Sequence, residues 1–148
     1  MTNSFKYLQN YKHMTRDSYP YTAQEGRCKY DESDGVTNVK SYKTIQSGDV
    51  DGHIAALQNQ PISIAIAAAS SALMLYKGGI LSSSGCGTNL DHAVNLVGYG
   101  SENGKDFWII RNSWGTSWGE KGYLRVARSG RDGPGICGIL KMSSYPIL

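Results

Sequence analysis

The sequence predicts an α+β fold, with a short helical start and a larger part of antiparallel strands arranged as a barrel or a sandwich. Three observations carry this expectation. Met1, Phe5, Leu8 and Tyr11 recur at helical spacing. After Pro61, four runs rich in β-branched, aromatic and apolar residues follow one another, the clearest of them with a period of two. Between two of these runs stands Asn103-Gly104, a strong short-range hairpin signal.

In chain order, the first element is the amphipathic helix through Phe5, Leu8 and Tyr11. It is too small to bury its own apolar face. The stretch YPYTAQEGRCKYDESDGVTN, residues 19–38, is dense in turn formers and charge without a sustained period, and predicts a long surface connection. Residues 49–59 read as a second helix with Val50, Ile54 and Leu57 on one face, ended by Pro61. Ile62, Ile64 and Ile66 then alternate with Ser63, Ala65 and Ala67. HAVNLVGYG, DFWIIRN and YLRVAR follow as further strands. No internal repeat or low-complexity tract is present.

A chain of 148 residues, 40% of them hydrophobic, matches one domain or a large part of one. The net charge of +3 is mild, and its Lys and Arg form no run or stripe, so there is no footprint for nucleic acid or an anionic membrane. The most apolar segment, PISIAIAAASSALMLY, is interrupted by Ser63, Ser70 and Ser71. It falls short of the about 18 uninterrupted apolar residues of a membrane span. MTNSFKYLQNYK shows no signal-peptide pattern; such a segment could precede Met1 if that is not the natural start. Cys28, Cys86 and Cys137 form no CxxC pair and no zinc spacing. An odd count leaves one thiol over, as a core cysteine, a nucleophile or half of a disulfide.

Of the three histidines, His13 beside Lys12 and His53 after Gly52 read as plain surface residues. His92 opens an apolar strand, where an unpartnered imidazole would be costly. A hairpin centred on residues 103 and 104 pairs positions whose numbers add to about 207. Residue 92 then lies opposite roughly 115, within reach of Asn112 at the end of FWIIRN. An amide oxygen accepting one ring N–H fixes the tautomer and leaves the other nitrogen to serve a nucleophile. The indole of Trp114 would keep water off that bond. Taken alone, the pair fits a hydrogen-bonded core histidine beside a turn asparagine better than a catalytic pair.

The segments QPISIAI, YKGGI, CGTNLDHAVNLVGYG, FWIIRNSWGTSWGEKGYLRV, and ICGI followed by SSYP resemble the papain and cathepsin L family of cysteine proteases. They occur in the family's order, and YPYTAQEGRC extends the match towards the N-terminus, so the resemblance covers the whole chain. It implies a papain-like α+β fold, with residues 1–36 a remnant of the helical domain and 37–148 the antiparallel β-barrel domain. By the same resemblance His92 is the general base and acid, Asn112 orients it, Trp114 covers the bond and Trp118 walls the leaving-group side. Met1, Ala65, Ala93 and Met142, with Asp91 beside His92, match the main specificity pocket. Alanine walls and a flexible thioether floor fit a hydrophobic residue two positions before the cut. The floor carries no acid, which predicts weak cleavage with a basic residue there. Cys86 and Cys137 match a family disulfide, and Cys28 a cysteine whose partner lies upstream of Met1.

The family's nucleophile sits in a C-G-S-C-W type motif about 130–150 residues before the His and Asn. That places it upstream of Met1, together with the glutamine of the oxyanion hole. The expectation is therefore a Cys-His-Asn endopeptidase working through a thioester, with this chain supplying His92 and Asn112 and inactive by itself. The alternative is an inactive fragment or homologue with a structural or binding role. The implied partners are peptide or protein substrates, the upstream segment, and propeptide or cystatin-type inhibitors; no metal or organic cofactor is implied. A disulfide implies an oxidising route to lysosome, vacuole or the outside.

Overall fold

The computed structural model describes residues 1–82, 84–128 and 133–148. In chain order the helices and strands are α1 (Thr2–Asn10), β1 (His13–Met14), β2 (Gly35–Thr37), β3 (Ser41–Ile45), α2 (Val50–Leu57), β4 (Ile62–Ile66), α3 (Ser71–Met74), β5 (Ile80–Leu81), β6 (His92–Glu102), β7 (Lys105–Arg111), β8 (Tyr123–Ala127) and β9 (Ser143–Ile147). They fall into two compact units, Met1–Lys43 with Pro146–Leu148, and Thr44–Tyr145.

In the first unit α1 buries none of its residues. Its tyrosines pair with each other: Tyr7 stacks on Tyr11 with ring centroids 4.5 Å apart, and Tyr30 meets both edge-on. The segment expected to be only a connection contains more structure. Asp31 accepts the N–H of Ser33 at 2.9 Å and starts a 3-10 turn over Glu32–Asp34, after which β2 pairs antiparallel with β1. Strands of two and three residues are too short to show a period, so patterning could not announce them.

In the second unit the strands run in the order β4-β6-β7-β8-β5, with the first residues of β9 beside β4. The pairings of β4 with β6 and β9, and of β7 with β6 and β8, are antiparallel; β5 runs parallel to β8. Asp49 starts α2 by accepting the N–H of Gly52 at 2.8 Å, and Ser70 caps α3. Ile62, Ile64 and Ile66 of β4 pack with Val94 and Leu96, Trp108 and Ile110, and Leu124 and Val126 from the strands β6, β7 and β8. Each such aliphatic side chain contributes about 1.5–3 kcal/mol by leaving water. Cys86 and Cys137, 51 residues apart, are joined by a disulfide at the edge of this core. Among the described residues no helix is long and apolar enough to cross a membrane.

Two expectations need correction here. His53 is not a surface residue: its exposure is 0%, and with Ala56 it forms the most buried face of α2. Positions 50, 53, 54 and 57 are one helical stripe, so period overrode residue type. The hairpin register also differs. Asn103 and Gly104 make the tight turn with φ of 52° and 72°, and pairing runs from Glu102↔Lys105 to Gly98↔Ile109. There a bulge shifts it by one, to Leu96↔Ile110 and Asn95↔Arg111. Continued, this register sets His92 across from Trp114 rather than from residue 115.

Candidate active site

The site lies at the open ends of β6 and β7. His92, half-buried, is the first residue of β6 and pairs with Ile66 of β4. Asp91 anchors this corner: its N–H donates to the Ile66 carbonyl at 3.1 Å. Its carboxylate accepts the N–H groups of Ala68 at 2.7 Å and Ala69 at 3.1 Å. Both oxygens thus serve the backbone leaving β4.

Asn112 follows β7, and its own N–H donates to the Gly122 carbonyl at 3.0 Å, closing the loop NSWGTSWGEKG on itself. The loop needs its glycines. Gly119 has φ of 57°, and a Cβ there would stand 2.6 Å from the Tyr123 carbonyl oxygen. Any other residue would push the loop off β8.

Asn112 Oδ1 accepts from His92 Nε2 at 2.9 Å and from the Ser113 N–H at 2.7 Å. A backbone donor on the same atom identifies it as the oxygen. Nε2 therefore carries the hydrogen of the neutral ring, and Nδ1 holds the lone pair. Among the described residues Nδ1 makes no hydrogen bond. Trp114 stacks on the His92 ring at 5.2 Å and 27°, its outer face in solvent, and Trp118 meets Trp114 edge-on at 5.1 Å. Trp118 is held in turn by its indole N–H, which donates to the Leu73 carbonyl at 3.1 Å. Asn112 Nδ2 is buried and, among the described residues, has no partner. Such a group costs about 1–3 kcal/mol.

The predicted pocket residues are partly assembled. Ala65 and Ala93 face each other across β4 and β6, and the Ala65 N–H donates to the Met142 carbonyl at 3.1 Å. The Met142 side chain is exposed. Met1 belongs to the first unit, where it caps α1. Cys28 is a free, exposed thiol, also in the first unit. Among the described residues no group of three His, Cys, Asp or Glu could hold a metal ion.

The sequence reading missed a support under the loop. Arg125 donates to both carboxylate oxygens of Glu120, at 2.9 and 2.8 Å, and Glu120 also accepts the Gly79 N–H at 2.8 Å. The hydrogen bonds from Arg125 hold the Glu120 carboxyl below its ordinary range. The Glu of WGEKGY was visible, but its partner lies beyond the turn, where no sequence pattern marks it.

Solved structures share this arrangement of strands and helices over the whole chain. A digestive procathepsin L 3 from the larval midgut of Tenebrio molitor has a TM-score of 0.91 and 41% identity, covering 100% of this chain and 48% of that one. The bromelain protease of Ananas comosus, in complex with the inhibitor E-64, has a TM-score of 0.89 and 36% identity, covering 99% and 68%. The fold is thus papain-like α+β, and the class it defines is that of the cysteine peptidases. Within that class the chain belongs to the papain family of cysteine proteases, whose family model matches residues 1–147. A probable cysteine protease, RDL6, of Arabidopsis thaliana is 43% identical over 99% of the chain and 42% of its own length. Chymopapain of Carica papaya is 41% identical over 98% and 41%. The chain spans about two fifths of the length of these curated relatives.

Proposed function

We propose that this chain supplies the base half of a papain-type endopeptidase, with His92 as general base and acid and Asn112 as its positioning residue. The observation that carries the reading is the 2.9 Å bond from Nε2 to Asn112 Oδ1, which leaves Nδ1 as the reactive nitrogen. The cysteine thiol comes from a segment preceding Met1. Nδ1 takes its proton, and the thiolate attacks the scissile carbonyl. Collapse of the tetrahedral adduct breaks the C–N bond as Nδ1–H protonates the leaving amine. Water then gives its proton to Nδ1 and its hydroxyl to the thioester, releasing the acid and the thiol. Asn112 keeps the ring oriented through both half-reactions, Trp114 shields the bond, and Trp118 lines the leaving-group side.

Ala65, Ala93 and Met142, with Asp91, form the pocket for a hydrophobic residue two positions before the cut. Residues 1–36 are the remnant of the helical domain and 37–148 the β-rich domain. Cys28 pairs with an upstream cysteine. The disulfide fits a lysosomal, vacuolar or extracellular location, and propeptide or cystatin-type inhibitors are the expected regulators. By itself the chain lacks the nucleophile and is inactive.

The test is kinetic, on the full-length protein with its upstream segment. His92→Ala should lower kcat/KM by about 10²–10⁴-fold with the fold retained, as general acid–base groups do. A Leu peptide should outperform its Arg counterpart at the second position before the cut. Full activity in His92→Ala would refute the assignment, and preference for Arg would refute the pocket.

A further inference from the structure

We propose that His53 is a positioning residue for Met142: neutral, it ties α2 to the first residue of β9, and its protonation releases the backbone that carries Met142. The role of Met142 as pocket floor rests on the function proposed above; the tie itself does not.

The geometry fixes the tautomer. His53 Nδ1 lies 2.5 Å from the Asp49 backbone carbonyl, which can only accept, so Nδ1 carries the ring hydrogen. Nε2 then presents its lone pair, and the Ser143 hydroxyl donates to it at 2.7 Å. This contact spans 90 residues of sequence, and both partners are buried, at 0% and 4% exposure. Ser143 directly follows Met142, whose carbonyl accepts the Ala65 N–H; Ala65 faces Ala93, the neighbour of His92. A side chain on α2 thereby holds the strand start beside the predicted pocket.

A proton on Nε2 would turn it into a donor facing the Ser143 hydroxyl. That hydroxyl would have to rotate and accept, leaving its own hydrogen unpaired in a dry site. The groups around the ring offer a charge little help. From α2 comes Asp49, whose carboxylate is engaged by the Gly52 N–H. From β7 comes the neutral Trp108 indole, edge-on at 6.2 Å, with the Arg128 guanidinium over its ring; from β9 comes only Ser143. Burial keeps the imidazole below its ordinary value, against the weaker pull of the Asp49 carbonyl bond and charge. The tie is therefore intact at neutral pH and opens on acidification.

The test follows the Met142 methyl and the Ala65 amide of the full chain by NMR between about pH 7.5 and 4.5, with the His53 ring as reference. Both signals should shift with the His53 midpoint, below the ordinary value near 6.5. In His53→Gln, which can still bond Ser143 but does not titrate, the shift should vanish. In Ser143→Ala, Met142 should sit near its acid position already at pH 7.5. Signals that stay fixed, or a shift that survives in His53→Gln, would overturn the proposal. In the full-length peptidase the KM for the Leu peptide should rise on acidification in the wild type and not in His53→Gln. A flat KM with the NMR shift present overturns the pocket assignment and leaves the tie standing.

Discussion

In residues Thr44–Tyr145 the isoleucines of β4 are sealed against β6, β7 and β8 at 0–1% exposure. In residues Met1–Lys43 the aromatic face of α1 stays open, with Tyr7 and Tyr11 44% and 46% exposed. Both segments carry regular apolar spacing, but only the strands have neighbours that seal them from water; α1 meets single rings such as Tyr30 and Tyr42. A sheet unit that closes its own core can hold the His92–Asn112 geometry rigidly. α1, touched only by rings such as Tyr30 and Tyr42, keeps a half-open face, which fits the proposal that residues 1–36 are the remnant of a helical domain.

Substitutions at matching positions can break this contrast. Ile64→Ala should cost about 2–5 kcal/mol in urea denaturation, because it leaves a cavity in a fully buried core. Tyr7→Ala should cost less than about 1 kcal/mol, as a surface change; equal losses would mean that Tyr7 is packed as tightly as Ile64. Replacing Cys86 and Cys137 by Ser should cost about 2–4 kcal/mol, since the bond closes a loop within the sheet unit. A smaller effect, about 1 kcal/mol, is expected of Glu120→Gln at neutral pH, because the ion pair is partly exposed. Its acid limb follows from the lowered carboxyl pKa: the stabilisation is present above the unfolded value of 4.5 and lost as pH falls below it.

The smallest effect belongs to His53. The unfolded ring binds its proton near 6.5 and the folded ring only at lower pH, so between these values the unfolded state holds more protons. Stability is full above about 6.5 and declines as pH falls through that window. Melting curves of His53→Gln should lack this decline; an identical pH profile would show that His53 titrates without being buried in the native state.

The fold was legible where one local rule sufficed. Asn103-Gly104 marked the hairpin, Pro61 marked a limit that α2 stops short of, at Leu57, and the alternation of Ile62, Ile64 and Ile66 marked β4. What failed depended on pairing. The bulge between Leu96 and Gly98 moves the register by one; Gly98 inside the strand is its local sign, but a glycine alone does not say which way the pairing slips. The short strands β1, β2 and β5 exist only through their partners. His53 was misread because a polar type in a helical stripe looks exposed until Ser143, far away in sequence, supplies the hydrogen bond. The contact of His92 with Asn112 tolerated the one-residue error, since both sit at strand ends where side chains reach diagonally.

The most direct measurement compares hydrolysis of a Leu-containing peptide by the 148-residue chain alone and by the same chain joined to the segment that precedes it. The chain alone should show no turnover and no thiol-reactive epoxide labelling, and the joined protein should show both, with turnover lowered about 10²–10⁴-fold by His92→Ala. Turnover by the isolated chain, or a joined protein whose full activity survives His92→Ala, would contradict this assignment.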